Sequence, residues 1–246
     1  MSYVIRPCTT REELGACVTL QKKIWGYSDL EVYPQRLFVN LRQIGGHVLA
    51  AFTPQGRAVG FVASMPAWRE GGNYYHSLSL GVLPEHENRG LGRALKLEQR
   101  RLALRAGIDR VEWTFDPLRA KNAFFNVVRL GAACRRYIAD HYGAVDSHFQ
   151  KGLPSDRLVA EWWLRSPRVR RTLSGKPPRS DRKKPADEVT IPSDIESLKR
   201  TRPGEARAVQ ARVREQLEDC FARKLAITGF ALEGAIAKYL LDPYED

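Results

Sequence analysis

Two glycines one residue apart, Gly90 and Gly92, follow Val82-Leu83-Pro84 and open what reads as a helix over 91–106, with Arg89 and Arg93 beside them. The first amides of a helix have no intrahelical acceptor, and the helix dipole puts partial positive charge at that end. Glycine lets a bound group approach the backbone with no Cβ in the way. Asn88, Arg89, Gly90, Leu91, Gly92, Arg93 and Ala94 therefore form a candidate anion site, of the kind that takes a phosphate or diphosphate. Two other phosphate loops do not fit. The pattern G-x-x-x-x-G-K-[ST] is absent, and G-x-G-x-x-G fails because Leu95 stands at its last glycine position. Cys8, Cys17, Cys134 and Cys220 form no C-x-x-C pair and no His/Cys cluster. Neither a metal site nor a disulfide framework is expected, and a reducing cytoplasm is the expected setting.

The elements that must carry this loop read as alternating strands and helices. Tyr3-Val4-Ile5 is a short strand, and Thr10 with Glu13 forms a capping box ahead of an amphipathic helix. Pro34 starts a second helix that Gly45-Gly46 ends. Residues 48–52 and 59–63 flank Thr53-Pro54-Gln55-Gly56 as a hairpin. Residues 75–82 are a strand running into the loop, 111–115 another, and Asp116-Pro117 reads as the N-cap and first turn of a helix to Leu130. Residues 133–138 and 158–164 are two further strands. Residues 65–74 read as a loop that presents Trp68 and Arg69. Beyond them, 166–188 reads as a basic linker. The tail 189–246 offers a capping box at Ser193–Glu196, a helix from Pro203 to about Lys224, and a hairpin across Glu233-Gly234-Ala235. It has too little apolar mass for a core of its own and is expected to dock on the rest.

Val82-x-Pro84 followed by Gly90-x-Gly92, the element order over 1–165, and the helix Asn122–Gly131 together resemble the GNAT N-acetyltransferase superfamily, in a subgroup carrying a C-terminal extension. The resemblance implies an α/β (α+β) fold: a mixed central sheet flanked by helices, with a C-terminal helix and β-hairpin added. The resemblance covers 1–165, ahead of the linker 166–188 and the extension 189–246. It also implies transfer of an acyl group from acetyl-CoA, or another acyl-CoA, to a small-molecule amine or a protein amino group. In the family a backbone N–H of the splayed strand faces the thioester oxygen, here around Leu80, Gly81 and Val82. A glycine at 81 suits a bulge or a close backbone approach, and equally plain packing. Asn122 and Asn126, four apart on one helix, are candidates for the pantetheine amides. The attacking amine must lose a proton, and His76, on the strand leading to the loop, suits that task, as does Asp116, although Asp116 is equally well placed as a cap. Glu112 is either a third candidate or an exposed strand residue. Tyr137 is the candidate for assisting the leaving thiolate. Glu87 stands where the family pattern has Gln or Arg, which puts the diphosphate contact on Asn88 and Arg89.

The chain has 246 residues and a net charge of +12. Residues 165–184 hold nine Lys/Arg against one Asp, so most of the excess lies there. That stretch reads as a solvated linker; nucleic-acid binding through it is a weaker reading, because it carries no aromatic side chain to stack on bases. A noncatalytic acyl-CoA-binding module is the other alternative. No apolar run is long enough to span a membrane. Neither the acceptor nor the oligomeric state is legible.

Overall fold

The structure is a computed structural model that describes residues 2–69, 71–143, 152–176 and 184–244. It separates into two compact units that meet in sequence at Glu112/Trp113. The expected 1–165 domain therefore spans both.

In the first unit, β1 (Val4–Pro7), β2 (His47–Phe52), β3 (Ala58–Arg69) and β4 (Gly72–Val82) pair antiparallel in chain order. β5 (Arg110–Phe115) joins β4 in parallel through the rungs Tyr75/Val111 and His76/Glu112. Helices α1 (Arg11–Trp25), α2 (Gln35–Gln43) and α3 (Leu91–Arg105) complete the unit. Leu14, Phe38, Leu49, Phe61 and Leu95 are fully buried among them, each contributing about 1.5–3 kcal/mol by burial. Thr10 caps α1 as read: its hydroxyl accepts from the Glu13 amide and Glu13 reaches back to the Thr10 amide.

The hairpin at 65–74 corrects the loop expected there. β3 runs to Arg69 and β4 starts at Gly72, because Met65 through Arg69 find partners in Gly72 through His76. A register shift falls between Ala63/Ser79 and Ser64/Ser77, so Leu78 is the extra residue of a β-bulge in β4.

The second unit begins within β5. α4 (Ala120–Ala123) and a six-residue π-helical segment (Phe124–Arg129) replace the single helix expected from Pro117. The start is delayed because Asp116 closes a turn instead, accepting from the Leu118 amide on its side chain and from the Arg119 amide on its carbonyl. β6 (Ala133–Ile138) and β7 (Arg157–Trp163) pair antiparallel. α5 (Pro167–Leu173) then forms inside the stretch read as linker: Ser166 caps it, Val169 is buried, and Arg168 donates to the carbonyls of Gly131 and Thr228. Residues 177–183 of that stretch lie outside the described residues. β8 (Asp187–Pro192) was not anticipated; it pairs with β10 (Ile236–Pro243), which pairs with β9 (Leu225–Glu233). β9 meets β6 at Cys134/Ile227. Asp194, not Ser193, caps α6 (Ile195–Thr201), and α7 (Pro203–Ala222) follows.

The tail is tied into this unit by buried polar contacts as well as by strands. Asp156 is fully buried and accepts from Nε and Nη2 of Arg214, from the Asp140 amide, and from the Tyr137 hydroxyl at 2.6 Å. Tyr239 donates to the Pro117 carbonyl at 2.6 Å, and Gln210 donates to that of Pro154. No helix among the described residues is long and apolar enough to cross a membrane.

Candidate acyl-CoA site

After β4 the chain makes a short 3₁₀ turn (Pro84–His86) and passes through two left-handed residues, Asn88 (φ 58°) and Gly90 (φ 79°), before α3. Nothing lies where a Cβ on Gly90 would sit, so its backbone angle, not crowding, calls for glycine. Gly90 is the N-cap of α3 and offers no side-chain oxygen. The first helical bond runs from the Ala94 amide to the Gly90 carbonyl at 3.0 Å, so the amides of Leu91, Gly92 and Arg93 precede the helical ladder. Leu91 is buried and anchors the turn, while Asn88, Arg89 and Gly90 are exposed.

Gly81 is small for a packing reason. A Cβ there would come within 2.8 Å of Ile24 and Trp25 at the end of α1. The irregularity that glycine suggested lies three residues earlier, at Leu78. Leu78 carries no residue-type signal for a bulge, so the spacing of apolar residues did not reveal it.

His76 is half-buried on β4 and shares a rung, and so a sheet face, with Glu112. Glu112 is 2% exposed, which removes the expectation of an exposed strand carboxylate. It is ion-paired to Arg69 at 3.0 Å and to Arg110 at 3.4 Å. Both guanidinium groups also lie over the Tyr74 ring, at 4.9 and 5.0 Å. Arg69 is thus engaged in the sheet, while Trp68 is 76% exposed at the hairpin tip.

On the inner side of α3, Lys96 is 1% exposed and donates to Ser77 Oγ at 3.1 Å and Gln99 Oε1 at 2.9 Å. Burial pushes its ammonium well below the usual lysine range. A lysine on an otherwise charged helix reads as a surface residue, so its type carries no signal of burial.

The remaining sequence candidates lie in the second unit. Asp116 spends one oxygen on the Leu118 amide and faces Lys199 with the other at 3.5 Å. It borders a small cavity with Arg157, Lys199 and Gln210. Tyr137 has its hydroxyl committed to Asp156, and burial with that carboxylate pushes its pKa far up. Asn126 is buried and accepts the Trp113 indole N–H at 3.2 Å, while Asn122 is half-buried on α4. Among the described residues no group of His, Cys, Asp and Glu is arranged to hold a metal ion. All four cysteines are buried free thiols.

A family model described as the acetyltransferase (GNAT) family matches residues 14–128. Residues 14–128 carry a GNAT acetyltransferase domain. The solved structures agree in fold. Arabidopsis thaliana NAA60 in complex with acetyl-CoA superposes with a TM-score of 0.52 at 16% identity, over 66% of this chain and 99% of that one. A GNAT-family acetyltransferase from Streptococcus pneumoniae gives 0.52 at 16%, over 65% and 98%. The ribosomal-protein-S18-alanine N-acetyltransferase of Escherichia coli gives 0.50 at 15%, over 65% and 92%. No curated protein matches the sequence. The glycine turn from Asn88 to Ala94 and the bulged strand β4 both lie within the matched GNAT segment.

Proposed function

We propose that this GNAT acetyltransferase binds the diphosphate of acetyl-CoA at the Asn88–Ala94 turn and passes the acetyl group to an amine. The observation that supports the reading most is the left-handed Asn88-Arg89-Gly90 turn, which leaves the first amides of α3 ahead of the helical ladder beside two arginines. Such amides and the helix dipole favour a phosphate. NAA60 was crystallised with acetyl-CoA, which supports the same cosubstrate here.

The chemistry is nucleophilic addition. The amine nitrogen attacks the thioester carbonyl carbon, negative charge collects on its oxygen, and the C–S bond breaks to give an amide and the CoA thiolate. A thiol has an ordinary pKa near 8.5, so the thiolate leaves without a strong acid. This frees Tyr137 from an acid's role, in keeping with its bond to Asp156. Backbone N–H groups of β4, between the Leu78 bulge and Val82, stabilise the oxyanion. His76 takes the amine proton, with Glu112 beside it on the neighbouring strand. Asp116 has a structural task, closing its turn and pairing with Lys199. Of the two asparagines, Asn126 already holds the Trp113 indole N–H with its oxygen. The acceptor is a small-molecule amine or a protein amino group, and the buried reduced thiols suit the cytoplasm.

The test is release of free CoA thiol from acetyl-CoA across a panel of amines: polyamines, amino acids, and peptides with free α- or ε-amino groups. Release that depends on one amine class supports the reading. Tight acetyl-CoA binding with no release from any class contradicts the transferase assignment. His76→Ala lowers kcat by about 10²-fold on the amine that responds.

A further inference from the structure

The 3₁₀ turn that leads into the glycine loop is not held by backbone alone. His86 is 7% exposed there, and Arg57, from the β2–β3 turn, places Nη2 3.2 Å from His86 Nε2. A guanidinium can only donate, so Nε2 carries the lone pair and Nδ1 carries the proton. Nδ1–H then donates to the Tyr3 oxygen at 2.8 Å, and Arg89 Nη1 donates to that same oxygen at 3.1 Å. The rings of Tyr3 and His86 meet edge to face at 5.7 Å. The same Nη2 of Arg57 also faces Glu85 Oε1 at 3.7 Å. The result is a directed relay from Arg57 through His86 to Tyr3, with Arg89 converging on its end. Arg89 is exposed and sits between the two left-handed residues, beside the α3 amides. A free arginine there would lose rotamer freedom on being fixed. A side chain already steadied loses less when ligand arrives.

We propose that Tyr3 and His86 are positioning residues that pre-set Arg89 for the diphosphate of acyl-CoA. The proposal rests on the acyl-CoA reading of the loop.

The experiment is calorimetric titration of the full chain with CoA, using wild type, Tyr3→Phe, His86→Phe, Arg89→Ala and the double variant Tyr3→Phe/Arg89→Ala, each checked for an unchanged thermal melt. Tyr3→Phe should weaken CoA binding about three- to tenfold, since the lost bond is to a charged group. His86→Phe should weaken it in the same direction. In the Arg89→Ala background the Tyr3 change should alter affinity by less than about twofold, as expected for residues that act through one another. Two results overturn the proposal: Tyr3→Phe without effect, or a Tyr3 effect undiminished once Arg89 is gone. Wild-type protein that does not bind CoA overturns the acyl-CoA reading, and the proposal with it.

Discussion

Lys96 is a lysine whose ammonium has been taken out of water, with Ser77 and Gln99 as its hydrogen-bond partners. Its pKa is depressed in the folded state, so between that lowered value and the ordinary lysine range the unfolded chain binds the extra proton. Stability therefore rises with pH up to the ordinary lysine range near 10.4. Lys96→Met should abolish this rise of stability with pH below about 10; urea titrations of the two proteins at a series of pH values read this directly. Glu13 works in the opposite direction. Its bond to Arg6 holds its carboxyl at about 2, so its contribution is complete above the ordinary glutamate range and is lost as pH falls toward 2. Glu13→Gln should flatten the acid limb of stability between about pH 4.3 and 2. Neither environment is visible in residue type. A capping-box glutamate is legible from spacing, whereas its arginine comes from β1, and the burial of Lys96 follows from the side of α3 that meets β4.

At the scale of elements, the glycine turn and α3 were legible because each residue is chosen by a local rule: positive φ at Asn88 and Gly90, no side-chain cap, apolar Leu91 and Leu95 inward. The strands β1 to β7 were legible from alternation and turn residues, except where β3 and β4 run on through 65–74. The bulge at Leu78 was not, because it is decided by β4 matching β3 on one side and β5 on the other. The break of the 117–130 helix was missed for a similar reason: Asp116 suits both a helix cap and a turn, and the turn won. At Gly81 two readings stood level, and the structure follows packing rather than a bulge. Gly81→Val should clash with Ile24 and Trp25 and cost about 1–3 kcal/mol, measurable by urea denaturation.

On the scale of the whole chain, the extension is part of a fold rather than an appendage. Arg214 of α7 neutralises Asp156, which is otherwise buried among β6 and β7 neighbours. Arg214→Ala should cost about 3–5 kcal/mol, because it leaves a charge uncompensated in the interior. A chain ending at residue 165 should lose the cooperative melt of the residues that follow Glu112, seen by circular dichroism. The basic stretch is likewise partly structural: Arg168 is half-buried, and desolvation lowers its pKa while its donors serve backbone carbonyls. That use of an arginine was hidden by composition, which counts charges without saying where they point.

The central claim is that α3's leading amides and their glycine turn hold the acyl-CoA diphosphate. The most direct measurement is calorimetric binding of acetyl-CoA to wild type and to Gly90→Glu, with the fold of each verified by its melt. Glutamate at a left-handed position costs about 1–2 kcal/mol of stability and puts a carboxylate against the phosphates. The predicted result is binding by wild type and a loss of about tenfold or more in a variant that still folds. Equal affinity in the two proteins would contradict the account.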